Sequence, residues 1–175
     1  MPVWEPQRLA NYYKKMGFDK AGACRWEDME DHPLPQDFAD MISWRELGDK
    51  VSKQFVSLPD SVKNNTMIYC RNYALAGAVS YYGQGLPEVG SDNASFLLWL
   101  PDQFNIRNLL FVGKQIPEKD DIVFQQFEKY TVLDSTVTPF AREQGVKIIL
   151  FENGNDKLNA MITAGIKQMK DEYRR

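Results

Sequence analysis

The chain contains one histidine, His32, and two cysteines, Cys24 and Cys70. A Ser–His–Asp or Cys–His centre has to use His32, which sits among irregular residues beside Pro33. A surface-loop histidine is the expectation, not a general base. Cys24 and Cys70 stand in no metal or redox spacing, and two thiols exclude a disulfide framework by count, so two buried free thiols are expected. Zinc lacks the second histidine or paired cysteines it needs, and no metal site is expected. No run of about 18 or more apolar residues occurs, so no segment reads as a membrane-spanning helix. The start Met1-Pro2-Val3-Trp4-Glu5 lacks the charged-then-apolar order of a secretory signal.

Two further absences narrow the function. No Gly-x-Gly-x-x-Gly follows a strand-like run and no Gly-Lys-Ser/Thr loop is present, which removes the main support for nucleotide binding. No cofactor is expected. Lys and Arg number 21 against 24 Asp and Glu, for a net charge of −3, and they form no stripe. Nucleic acid is therefore not an expected partner. The densest basic cluster, Lys167, Lys170, Arg174 and Arg175, is interrupted by Asp171 and Glu172 and reads as a solvated helix end suited to the helix dipole.

What is present describes one soluble α/β domain. The 175 residues suffice to bury a core, and 43% hydrophobic with 26% charged residues is ordinary for a globular chain. Residues 1–42 read as an N-terminal arm packing on the domain of residues 43–175. Within the arm, Leu9, Tyr12, Tyr13 and Met16 recur at helical spacing until Gly17. Ser43-Trp44-Arg45-Glu46 has the form of a capping box, with Ile42 and Leu47 placed as a hydrophobic staple. Trp44, Leu47, Val51, Phe55 and Leu58 then mark one helical face, closed by Pro59.

Thr66–Arg71 reads as a short buried strand, Tyr73–Tyr82 as a helix, and Glu88–Ser91 as a second short strand. Asn93–Trp99 reads as a helical turn capped by Asp92 or Asn93, and Asn108–Gly113 as the clearest strand. Pro117, Ile122, Val123, Phe127 and Tyr130 suggest a helix, Thr131–Thr138 an edge strand, and Val146–Phe151 a buried strand. A last helix starts near Asp156 and places Leu158, Met161, Ile162, Ile166, Met169 and Tyr173 on one face. This alternation predicts a layered, mainly parallel, Rossmann-like sheet with helices on its faces.

The polar and aromatic side chains crowding the end of the first strand are the candidate site. Asn72, Ser91 and Asn93 offer hydrogen bonds, while Tyr73, Tyr82 and Trp99 offer ring faces, a combination that suits a sugar. Ligands in open α/β sheets bind beyond the carboxyl ends of strands. The competing reading is structural: Asn72 caps the helix, Ala76, Gly77 and Ala78 allow close packing, and Trp99 is core. On either reading Trp99 is expected to be buried, and truncating it to cost about 3–5 kcal/mol. The acidic pairs Asp28 with Asp31 and Asp120 with Asp121 read as solvated charges, and no catalytic residue is assigned.

The order Asn72-Tyr73-x-x-Ala76-Gly77-Ala78, Tyr82-Gly83, Leu86-Pro87, Ser91-x-Asn93 and Trp99 resembles the C-terminal soluble domain of the protein-mannosyltransferase/aminoarabinose-transferase-like superfamily. The lead-in Leu34-Pro35-Gln36-Asp37-Phe38-Ala39-Asp40-Met41, then Trp44 and Glu46, resembles the segment joining that domain to the last transmembrane helix. The likeness covers roughly residues 30–155. It departs from the pattern at Asp92, where the family has histidine, at Leu100, and at Ser43, where the family often has glycine. The resemblance implies an extracytoplasmic accessory domain of a polyprenyl-phosphate-sugar-dependent membrane glycosyltransferase, with the catalytic acids on a transmembrane portion of the same parent protein. A sugar or glycan acceptor is the implied ligand. Two alternatives stand beside it: a free-standing carbohydrate-binding or scaffold module, and a small nucleotide-dependent α/β enzyme.

Overall fold

The structure is a computed structural model that describes residues 4–118 and 121–174. Ahead of residue 43, Pro6–Met16 forms α1 and Gln36–Asp40 forms α2. Proline opens α1 and Gly17, at φ +73°, closes it, the left-handed conformation glycine adopts freely. Leu9, Ala10 and Leu34 bury against Tyr13, Phe38, Ile42 and Phe140, which ties the arm to the chain beyond residue 138. Arg142 strengthens that junction by pairing with Asp40 and Glu27.

The sheet contains β1 (Thr66–Cys70), β2 (Val89–Gly90), β3 (Asn108–Gly113), β4 (Lys129–Ser135) and β5 (Lys147–Glu152), in the order β2-β1-β3-β5-β4. β1 runs parallel to β2 and β3, whereas β5 pairs antiparallel with both β3 and β4. The sheet is mixed, not mainly parallel as the sequence suggested. The difference arises at residues 117–130, where the described residues do not form the expected helix. A single 3-10 turn, Phe124–Gln126, occupies the segment, and Tyr130 belongs to β4. Phe124 and Phe127 instead pack as rings on the sheet, with Phe124 4.9 Å from Phe151 and 5.5 Å from Phe111. Among the described residues no crossover helix intervenes, and β5 returns as the antiparallel partner of β4.

Alternation within the strands divides the core. Ile68, Cys70, Leu110, Val112, Ile148 and Leu150 face α3 (Trp44–Ser57) and α5 (Tyr73–Tyr82). Leu109, Phe111, Ile149 and Phe151 face the opposite way, toward Phe124 and Phe127. On that second side, α7 (Leu158–Tyr173) packs with α6 (Phe96–Trp99) through Ile166, Leu97, Leu100 and Phe104. The short α4 (Asp60–Lys63) leads from α3 into β1.

The capping box does not form. Ser43 sits at φ +76°, makes no cap hydrogen bond, and its Oγ is buried without a partner among the described residues. Ile42 packs with the arm and Leu47 with the main core, so the staple is not made either. The left-handed backbone here explains why glycine suits this position. Ser43→Gly is expected to stabilise the fold by about 1–2 kcal/mol, removing the cost of a side chain in this region and an unsatisfied hydroxyl. Thermal unfolding should register this as a rise of roughly 2–8 °C; an unchanged or lower midpoint would show that the serine hydroxyl has a stabilising partner.

The C-terminal basic cluster is not wholly solvated. Lys170 is buried, and its Nζ donates to the Leu100 carbonyl and pairs with Asp102 at 2.9 Å, fastening α7 to the loop after α6. Arg175 lies outside the described residues. No helix among the described residues is long and apolar enough to cross a membrane.

Candidate functional site

The carboxyl end of β1 passes into Arg71, whose amide still donates to Val112 of β3 at 2.9 Å. Asn72 then caps α5, its side chain accepting from the Leu75 amide at 2.9 Å. Asn93 accepts from the Tyr73 amide at 3.2 Å, and its own amide donates to the buried Ser91 Oγ. Asn93 therefore caps α5 across the sheet end and not the following turn, whose N-cap position is Ser95 without a side-chain bond. Four predicted site residues, Asn72, Tyr73, Ser91 and Asn93, come together here. The two asparagines occupy the Tyr73 and Leu75 amides, two of the three first-turn amides a phosphate would use, which weakens the anion cradle at the N-terminus of α5.

Tyr82 and Trp99 lie elsewhere. Tyr82 is at the far end of the ten-residue α5, with the Arg45 guanidinium 5.2 Å from its ring centroid. Trp99 is 62% exposed, packs edge-on with Phe96, and lines a separate 170 Å³ cavity with Glu88 and Gln103. It is neither core nor a neighbour of the asparagines. Trp99→Ala should cost about 2 kcal/mol, since only about a third of the ring's surface leaves water there, below the loss for a buried aromatic. Asn93→Ala should cost about 1 kcal/mol through the lost cap. Denaturant unfolding of both variants checks the pair, and a loss near 4 kcal/mol at Trp99 would contradict the exposed placement.

Beside the asparagine network opens a vestibule of 640 Å³ between the loops that follow β1 and β3. β1 lies between β2 and β3, and the chain visits β2 first before crossing to β3. The opening thus coincides with the point where strand order reverses, the favoured ligand position in open α/β sheets. Its polar lining comprises Arg71, Asn72, Lys114, Gln115 and Arg142 as donors with Glu118, Asp121 and Glu143 as acceptors. Arg142 is neutralised by Asp40 and Glu27, whereas Arg71 and Lys114 have no carboxylate partner within 4 Å among the described residues. Lys114 Nζ donates to the Arg142 carbonyl at 2.6 Å, which steadies it at the rim.

Sequence reasoning missed Arg71, Lys114 and Asp121 as site residues. The available signal was position: Arg71 and Lys114 each directly follow an apolar strand. Asp121 is not free solvated charge, because its carboxylate accepts from the Val123 amide at 3.1 Å. Its sequence neighbour Asp120 lies outside the described residues.

Behind the vestibule is Tyr69, with Asp92 and Arg71 close to its hydroxyl. Burial first, then the Asp92 charge, pushes the phenol far above its ordinary value, and Arg71 opposes them. This phenol stays protonated at any physiological pH and serves as a hydrogen-bonding group, not a base. Asp92 thus has the Tyr69 hydroxyl as a neighbour. The remaining reactive groups are remote or inert: Cys24 and Cys70 are free and buried, and burial pushes both thiols up. His32 stacks on Trp26 at 3.5 Å and pairs with Asp28 at 2.9 Å, while Asp31 pairs with Arg25. Among the described residues, no group of three histidine, cysteine or acidic side chains is placed to hold a metal ion.

No match emerges from comparison with family models, curated proteins or solved structures.

Proposed function

We propose that this domain binds a sugar or glycan acceptor in the vestibule and acts as the extracytoplasmic accessory part of a polyprenyl-phosphate-sugar-dependent membrane glycosyltransferase. The observation that supports binding is the 640 Å³ opening at the strand-order reversal, lined by both hydrogen-bond donors and carboxylate acceptors. Sugar hydroxyls both donate and accept, so they can satisfy Arg71, Asn72 and Lys114 on one side and Glu118, Asp121 and Glu143 on the other. The parallel half of the sheet, β2-β1-β3, is the part compatible with a Rossmann-like arrangement.

The described lining contains no serine, threonine, cysteine or histidine. It offers groups that hold a ligand but no hydroxyl or thiol nucleophile beside a histidine base. The link to a membrane enzyme rests on the order of motifs from Leu34 to Trp99. A nucleotide-dependent enzyme is the weaker reading, because Asn72 and Asn93 fill two of the three helix amides that would receive a phosphate.

The test is sugar transfer by the protein together with its membrane portion, carrying Arg71→Gln with Lys114→Gln. A raised apparent KM for acceptor at unchanged thermal stability is expected. Transfer by the 175-residue chain alone would overturn the accessory role, and unaltered kinetics in the double variant would remove the vestibule from it.

A further inference from the structure

The vestibule does not end at the sheet. A second cavity of 190 Å³ shares Arg71, Asp121 and Phe124 with it and continues between the sheet and α7. Polar groups gather at the shared mouth, where Tyr69 and Asp92 join Arg71. The interior is apolar, lined by Met67 and Leu109 from the sheet and by Met161, Ile162 and Met169 from α7. One opening therefore leads from a zone rich in charge to a zone almost without it.

Gly165 is the telling residue. It lies within α7, where glycine is the poorest helix former except proline, and it lines this slot. Its φ is not positive, and a Cβ placed on it would have no heavy atom within 4 Å. Neither backbone conformation nor close packing calls for glycine. The missing side chain leaves open space at this exposed wall of the slot. The three methionines add a wall that can reshape around an occupant, since thioether chains are unbranched and polarisable.

We propose that the slot is a binding site for a compact apolar group, one aromatic ring or a short branched chain, carried by the ligand whose polar part occupies the vestibule. The polar half of this assignment rests on the vestibule reading given above; the slot stands on its own observations. Size sets the class: an apolar cavity of about 150 Å³ accommodates a benzene molecule, and this slot is only modestly larger. The ligand is thus a glycoside with a small apolar aglycone, since most of a long lipid chain would lie outside the slot.

Phenyl β-D-glucoside, D-glucose, benzyl alcohol and dodecyl β-D-glucoside serve as probes of the full chain, with methionine methyl and backbone amide NMR shifts as readout. Phenyl glucoside is expected to move the methyls of Met67, Met161 and Met169 together with the amides of Arg71, Asn72 and Lys114, and glucose only the latter. Gly165→Leu should fill the slot, abolish the methyl shifts and weaken phenyl glucoside by about tenfold or more, leaving glucose unaffected. Gly165→Ala, which adds one carbon to open space, keeps the test interpretable if the leucine variant fails to fold, and should weaken phenyl glucoside to a lesser degree. The dodecyl glucoside should bind no better than the phenyl one. Amide shifts without methyl shifts would overturn the slot while keeping the vestibule. Methyl shifts from phenyl glucoside without amide shifts would support the slot and overturn the vestibule, and methyl shifts from benzyl alcohol alone would support the slot. Silence at both would overturn both.

Discussion

Gly48→Ala is expected to destabilise the domain by roughly 3 kcal/mol, lowering the thermal midpoint by about 6–12 °C. A Cβ at Gly48 would stand 2.5 Å from Tyr82 Cβ, 2.9 Å from the Tyr82 carbonyl carbon and 3.1 Å from the Gly83 nitrogen. Two of these are backbone atoms, which cannot swing away as a flexible side chain can. The crossing of α3 and α5 is also fastened at this level. The Ser52 hydroxyl donates to the Gly48 carbonyl at 2.7 Å and accepts from the Gln84 amide at 2.9 Å. A methyl group therefore has to separate two helices that share one core with β1 and β3. The same substitution at Gly165 meets open space and should raise stability by about 0.5–1 kcal/mol, the ordinary gain in helix propensity. Opposite signs for one chemical change in two helices are a sharp check, read by denaturant unfolding. Equal signs would mean that the helix crossing is looser than described.

The second large effect is expected at Glu46. Its carboxylate accepts from the amides of Val137 at 2.8 Å and Thr138 at 3.0 Å and from the Thr138 hydroxyl, and it pairs with Lys50 at 3.1 Å. Lys50 in turn pairs with Asp134, at the irregularity in β4, and donates to the Ser135 carbonyl. Glu46→Ala should cost about 2–4 kcal/mol, since it leaves two amides and a half-buried cation short of partners.

The pH dependence follows from the same contacts. Burial alone would raise the carboxyls of Glu46 and Asp134. Hydrogen bonds from Thr138 and Val137 outweigh it at Glu46, and Lys50 does so at Asp134, so both are held below their ordinary range. Their contribution is complete above the unfolded values, near 4, and is lost as pH falls through the lower folded ones. Lys50 is shifted the other way: burial would lower it, but Asp134 and Glu46 raise it above its ordinary value. Its contribution is present below about pH 10 and is lost as pH rises through the folded value. Unfolding free energy should drop on acidification from about pH 5 to pH 3, and Glu46→Gln should flatten that drop. An unchanged acid limb in the variant would show that other carboxylates govern it.

Local patterns carried the reading of the sequence far where the core itself is local. Trp44, Leu47, Val51, Phe55 and Leu58 do share the buried face of α3. Thr66–Cys70, Tyr73–Tyr82 and Asn108–Gly113 form the expected elements, because an apolar run or an alanine-rich stretch there meets little competition. The reading fails where partners are distant. Glu46 resembles a capping residue, yet its hydrogen bonds go to residues 91 and 92 positions away. Ile122, Val123, Phe127 and Tyr130 fit a helical period, but ring packing of Phe124 and Phe127 on the sheet and strand pairing of Tyr130 prevail.

At the site, Asn72 and Asn93 could be picked out as polar residues at a strand end. Their use as two caps of one helix depends on how β1 and β2 align. The slot was invisible in the sequence, because the face of α7 that lines it reads as ordinary core.

One strand of the sheet has a consequence for biosynthesis. β5 is the last strand made, yet it lies between β3 and β4 and pairs with both. Until residues 147–152 leave the ribosome, the apolar flank of β3 has no neighbour on that side and offers its unpaired amides and carbonyls to any passing strand. Nascent chains halted just short of this stretch should be prone to self-association and to capture by chaperones, whereas chains extended past it should not.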